Sequence, residues 1–156
     1  MTEKPLPEHE WLQKLVGEWT FEADCEMGPD QPTQKTSGTE TVRSLGGLWT
    51  LADGHVSSPD GEMTMTLGYD PARQCFVGTF IASCMTHLWV YEGGTLDTAQ
   101  RVLTLNAEGP DFTGGTAKYH DIIELISDDE RTLSSEMLRP DGTWHRFMTT
   151  RYRRKR

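Results

Sequence analysis

Histidine and cysteine side chains could bind a metal ion, but their spacing in this chain matches no metal-binding motif. The five histidines are His9, His55, His87, His120 and His145. None belongs to a His-x-His or His-Glu-x-x-His pair, and the three cysteines form no Cys-x-x-Cys pair. The spacing therefore predicts no metal site. The alternative is that three strands bring His87, His120 and His145 together in space.

The sequence also contains no marked pair of nucleophile and base, and no marked pair of carboxylates. Ser83-Cys84 lies near His87, but no strand-turn-helix elbow surrounds it, so a turn between strands is the simpler interpretation. Asp121 and Glu124 are three positions apart, which places them on opposite faces of a strand and prevents them from acting as an acid–base pair. We expect no catalytic residues and a function other than catalysis.

Composition and charge limit the classes of partner. The chain has 156 residues, enough for one domain, and its net charge of −9 argues against nucleic acid, whose binding depends on neutralising phosphates. The basic run over residues 151–156 is interpreted as a solvated chain end. An odd number of cysteines and no apolar signal core over residues 1–10 predict a cytoplasmic protein with free thiols. No stretch approaches the roughly 20 apolar residues that cross a bilayer, so no membrane contact is expected.

The elements that would position these side chains follow from the spacing of apolar residues. Residues 1–8 contain two prolines and are expected to form a flexible arm, whereas residues 9–16 have apolar side chains at helical spacing. From Trp19 onward apolar and polar residues alternate, which is typical of half-buried strands. The alternation predicts ten strands, at 18–26, 34–45, 47–56, 62–69, 74–82, 85–92, 101–107, 116–127, 131–138 and 143–154.

Turn residues separate these strands and favour antiparallel hairpins. Residues 58–61 (Ser-Pro-Asp-Gly) and 139–142 (Arg-Pro-Asp-Gly) are examples, and Gly93-Gly94 and Gly114-Gly115 are interpreted as hairpin glycines rather than phosphate-binding loops. No gap between strands could hold a crossover helix. Because such a meander should close, we predict an all-β fold with a single domain over residues 9–154. It is a closed antiparallel up-and-down β-barrel of about ten strands with a short N-terminal helix.

Three motifs together resemble a known family. They are Leu15-Val16-Gly17-Glu18-Trp19, Phe76-Val77-Gly78-Thr79-Phe80 and Met148-Thr149-Thr150-Arg151-Tyr152-Arg153-Arg154. Over roughly residues 9–154 the chain resembles the bacterial calycin-like family called domain of unknown function 1579. The resemblance implies a lipocalin-like barrel in which Trp19 lies across the closed end, with Arg151 or Arg153 stacked on its ring as a structural latch. It implies no activity.

The interior of the barrel is the expected site of any bound molecule. Alternation along the strands predicts that it is lined by Trp49, Met65, Phe80, Trp89, Tyr119, Met137, Arg146 and Met148. The alternative is that these side chains fill an ordinary core. Some calycin-like barrels bind haem through a late histidine, but His145 does not match that pattern. Haem is therefore not expected, and no other cofactor is indicated.

Three functions remain open at this point. The first is an intracellular barrel that binds a small, mostly apolar molecule in its interior. The second is a filled barrel whose outer face interacts with a partner or with a second copy as a homodimer. The third is a haem protein or an enzyme. Because the chain is acidic, neutral or cationic apolar molecules are expected to bind at least as well as fatty acids, unless a buried cation such as Arg146 meets them.

Overall fold

The computed structural model describes residues 2–28, 30–111 and 113–156, and in them one helix is followed by ten strands. The elements are α1 Pro7–Gln13, β1 Gly17–Cys25, β2 Gln34–Leu45, β3 Trp49–Ser57, β4 Asp60–Asp70, β5 Cys75–Ala82, β6 Trp89–Leu96, β7 Val102–Pro110, β8 Thr116–Leu125, β9 Glu130–Leu138 and β10 Trp144–Arg154. Each strand pairs antiparallel with the next, and β1 pairs with β10. The predicted closed barrel of about ten strands is confirmed.

The helix begins before the position that its apolar spacing predicts. Pro7 is its first residue, where the fixed φ of proline is compatible with a helix, so residues 7 and 8 belong to α1 rather than to the predicted arm. His9 joins α1 to the barrel through a hydrogen bond of 3.0 Å between its Nε2 and the carbonyl oxygen of Tyr69. Residue 1 of the predicted arm lies outside the described residues. In the described part of the chain, no helix has the length and hydrophobicity needed to cross a membrane.

Strand β6 lies further along the chain than predicted. The pattern predicts a strand over 85–92, whereas β6 spans Trp89–Leu96 and contains Gly93 and Gly94. Gly93 has a φ of +62°, and the pairing register shifts next to it by a β-bulge. A Cβ atom on Gly94 would come within 2.8 Å of the Phe76 Cβ. The two glycines are therefore inside a strand, and their interpretation as hairpin glycines is wrong.

The half of the barrel next to α1 is filled, and we call it the closed half. Its inward-facing side chains and the apolar face of α1 form one buried cluster, which includes Trp11, Leu12, Leu15, Trp19, Phe76, Tyr91, Leu103, Leu105, Ile123 and Tyr152. A cavity in this half, lined by residues that include Glu40, Thr50 and Arg131, has a volume of about 20 Å³. That volume holds one water molecule and no larger ligand.

Candidate functional site

The half of the barrel away from α1, the open half, has several large inward-facing side chains that remain partly exposed. Met65, Phe80 and Trp89 lie on β4, β5 and β6 and are neighbours in the pairing register, Met65 with Phe80 and Phe80 with Trp89. All three face inward and are half-buried, whereas the largest inward-facing side chains of the closed half are buried. The inner face of the open half therefore carries these partly exposed side chains, and we call this face the cup.

Six of the eight residues predicted to line the interior face it, and two do not. The inward-facing residues are Met65, Phe80, Trp89, Tyr119, Met137 and Met148. Tyr119 on β8 pairs in register with Met137 on β9, and Met148 on β10 pairs with Ser135 on β9. Their contact with a ligand stays a prediction.

Trp49 and Arg146 face outward, so their predicted place in the lining is wrong. Trp49 is 41% exposed and its ring covers the outer face of Gly68, while the next residue, Thr50, is the one that points inward and is buried. Arg146 is exposed. A β-bulge between Arg146 and Met148 shifts the alternation by one residue, so two side chains expected on one face lie on opposite faces.

A carboxyl group, that of Asp121, lies at the floor of the cup. Its Oδ1 accepts a hydrogen bond of 2.6 Å from the Ser135 hydroxyl, and its Oδ2 accepts one from the Tyr91 hydroxyl. Tyr91 is buried and Asp121 is half-buried, and Asp121 lies on the inward face of β8 between Tyr119 and Ile123. Burial raises the pKa of the Asp121 carboxyl above its ordinary value, and the hydrogen bonds from Ser135 and Tyr91 oppose that rise.

Aromatic rings form one wall of the cup. The Trp89 ring meets His87 and Tyr119 edge to face, with centroid distances of 4.7 and 4.8 Å. It also occupies the space that a side chain on Gly109 would fill. The wall is therefore fixed by packing on several sides, and it offers the flat apolar surface that small-molecule sites use.

The latch at the closed end uses a different arginine from those predicted. The guanidinium carbon of Arg154 lies 4.2 Å from the centroid of the buried Trp19 ring. Gly17 makes room for it, since a side chain there would overlap the Arg154 guanidinium, and its φ of +139° also favours glycine. Arg151 and Arg153 alternate with the inward-facing residues of β10 and bond carboxylates on the outer face. Their assignment as latch residues is therefore wrong.

A buried ion pair lies beside the latch. Arg131 donates a hydrogen bond to Glu40, and the two residues are 4% and 8% exposed. The Arg131 guanidinium carbon is also 4.5 Å from the Trp19 centroid and 3.8 Å from that of Tyr152. Its Nε has no hydrogen-bond partner among the described residues, and Arg131 is one of the residues that line the cavity of about 20 Å³. Sequence reasoning missed this pair and Asp121, although all three occupy inward-facing positions in the alternation.

The histidines serve separate local contacts. His120 stacks on the Trp144 ring at a centroid distance of 3.7 Å, and His145 bonds Glu26 at 2.6 Å, while His87 packs against Trp89 at the cup. Among the residues that the structure describes, no group of three or more His, Cys, Asp or Glu could hold a metal ion.

Substituting Asp121→Asn should change how stability depends on pH. A folded-state pKa above the unfolded value of about 3.9 means that the contribution of Asp121 is present below that pH and is lost as the pH rises through the folded pKa. Asparagine does not ionise and can still bond both hydroxyl groups. The free energy of unfolding of the variant, relative to the wild type, should therefore increase from pH 4 to pH 7 in urea titrations (about 1.4 kcal/mol per unit of pKa elevation).

Glu124→Gln is the matched control, because Glu124 lies on the same strand but is exposed. It should leave the difference from the wild type nearly constant over this pH range. If the free energy of unfolding of Asp121→Asn relative to the wild type is also constant over this pH range, burial does not raise the pKa of Asp121.

Comparison with known proteins places the chain in context. The sequence model of the family described as Protein of unknown function (DUF1579) matches residues 4–154. No curated protein sequence matches the chain significantly. The crystal structure of Rv2717c from M. tuberculosis is similar, with a TM-score of 0.63 at 14% identity, covering 98% of this chain and 100% of that one. The structure of EF1p2_mFAP2b bound to DFHBI matches at a TM-score of 0.44 and 13% identity, covering 95% and 99% of the two chains. The similarity to Rv2717c extends to the barrel fold.

Proposed function

Because the chain belongs to the DUF1579 family, which is described as a family of unknown function, we propose its function from its own geometry. It binds a small, mostly apolar molecule in the cup of the open half. The observation that carries this proposal is the contrast between the two halves of the interior. The largest inward-facing side chains of the closed half, such as Trp19, Phe76 and Tyr152, are buried, whereas Met65, Phe80 and Trp89 of the open half remain half-buried. An apolar ligand would cover that surface and gain about 25 cal/mol per Å² of apolar area removed from water.

The floor of the cup supports the same proposal. Ligand sites combine apolar walls with a few convergent polar groups and often contain a titratable group with a perturbed pKa. Asp121, Tyr91 and Ser135 supply that polar cluster beneath the Met and aromatic walls. The proposed location is the cytoplasm, since the three cysteines are free thiols.

Contact quenching by a bromo-octanol, a neutral apolar probe, tests the proposal. Bound in the cup, its bromine should quench tryptophan fluorescence in a saturable manner, and Trp89→Phe should remove most of that quenching. Trp11→Phe and Trp49→Phe are matched controls that should retain it, because Trp11 is buried in α1 and Trp49 lies on the outer face. Retention of the full quenching in Trp89→Phe would place the probe elsewhere and contradict the proposal.

Self-association through the outer face is a second candidate. Ile81 on the outside of β5, Val90 on the outside of β6 and Leu88 just before β6 are 50%, 42% and 53% exposed. Exposed apolar groups that cluster are common at protein contacts. A dimer mass in sedimentation, together with no saturable quenching, would favour this homodimer over the binding of a small molecule.

A further inference from the structure

We propose that the ligand of the cup has a cationic amine at the end that reaches Asp121. This inference rests on the proposed function and narrows it to one class of ligand. Both carboxyl oxygens of Asp121 accept a hydrogen bond, and each has a further lone pair for another donor. An ammonium group has three donors and no acceptor, so it complements this floor. The carboxylate of a fatty acid would instead bring a second acceptor and a like charge against it.

The distribution of interior charge points the same way. Among the described residues on the strands of the open half, Asp121 is the one Asp, Glu, Lys or Arg whose side chain faces inward. Arg131 lies in the closed half and is paired with Glu40, and Arg154 donates its hydrogen bonds to backbone carbonyls at the closed end. Arg146, which was expected to meet anions, points outward. An anionic ligand would therefore find no lysine or arginine partner in the described part of the cup.

The mouth of the barrel adds a favourable field for cations. The segments that connect strands at this end, at 26–33, 58–59, 83–88, 111–115 and 139–143, carry four carboxylates and one guanidinium group. The charged residues are Glu26, Asp30, Asp111, Asp141 and Arg139. Hydrogen bonds from Thr113 and Thr143 lower the pKa values of Asp111 and Asp141, so both stay ionised at neutral pH. An acidic mouth raises the local concentration of cationic molecules.

The aromatic wall offers a second interaction to the same group. Trp89 and Tyr119 pack edge to face within the cup, on β6 and β8, the strands that also carry Tyr91 and Asp121. A desolvated ammonium group near the face of either ring gains cation–π attraction that a hydroxyl or carboxylate does not. The walls and the floor therefore favour the same end group.

Competition among three octyl compounds tests the inference at neutral pH and physiological ionic strength. Octylamine, octanol and octanoate are titrated against bound bromo-octanol, and octylamine should displace it at about tenfold lower concentration than octanoate. In the Asp121→Asn variant, octylamine should displace bromo-octanol at about the same concentration as octanol does. Glu124→Gln, which removes one negative charge from the exposed face of the same strand, should keep the amine preference.

The outcomes separate this inference from the proposed function. Equal displacement by the three compounds, or preference for octanoate, overturns the amine inference and leaves the apolar cup intact. An amine preference that survives in Asp121→Asn overturns the role of Asp121. No saturable quenching by bromo-octanol overturns both proposals. If Asp121→Asn does not fold, the ranking measured on the wild-type protein decides the question.

Discussion

Trp19→Ala should lower the free energy of unfolding by about 3–5 kcal/mol, as large-to-small changes in protein cores do. Trp19 is 1% exposed, its indole N–H donates a 2.9 Å hydrogen bond to the Leu15 carbonyl, and its ring contacts the Arg154 guanidinium. The substitution removes both contacts and leaves a cavity. Equilibrium unfolding in urea measures the loss. Trp49→Ala is the matched control and should cost much less, because Trp49 is 41% exposed.

The same measurement identifies which arginine completes the latch. Arg154→Met should destabilise the protein, because Arg154 loses the Trp19 ring and three backbone carbonyl partners. Arg151→Met and Arg153→Met change exposed side chains and should stay within about 0.5 kcal/mol of the wild type. Identical unfolding midpoints for Trp19→Ala and the wild type would contradict the latch as a whole.

Breaking the ion pair of the closed half should cost about as much as losing Trp19. Glu40→Leu leaves the Arg131 charge buried without its carboxylate partner, and such changes typically cost about 3–5 kcal/mol. Arg131→Met should also destabilise strongly, since it strands the Glu40 charge and removes the guanidinium from the Trp19 and Tyr152 rings. Urea unfolding again supplies the free energies.

The double variant Glu40→Leu with Arg131→Met decides whether the charges themselves are responsible. Replacing both partners of a buried pair by apolar groups is often close to neutral, so the double variant should be more stable than either single variant. Additive losses in the double variant would show that packing around each residue, rather than the pairing of their charges, sets the cost.

Alternation of apolar and polar residues was sufficient to predict the barrel, and its failures have local causes. Each strand was located within a few residues except β6, where Gly93 and Gly94 look like turn residues in the sequence but serve a bulge inside the barrel. Arg146 shares parity with Met148, and the bulge between them was invisible in the sequence. Register and bulges depend on contacts between distant strands, which a local pattern does not contain.

The sequence predicted only part of the candidate site, because large apolar residues were preferred when choosing which side chains face the interior. Trp49 was placed inside for its size, although the small Thr50 is the inward-facing residue. Asp121 was dismissed because it pairs with no second acid, yet it lies two positions from both Tyr119 and Ile123 and therefore shares their inward face. Strict parity, applied without regard to polarity, would have located it.

The pairing of β1 with β10 has a consequence for biosynthesis. When only β1 to β9 have been translated, the sheet is open, because β1 and β9 each have an edge that pairs only with β10. Its apolar inner face and two unpaired edges are the features that promote aggregation. The ring closes only after translation of the segment that also brings Arg154 onto Trp19. Premature termination shortly before β10 should therefore yield aggregates or degraded chains rather than a partly functional barrel.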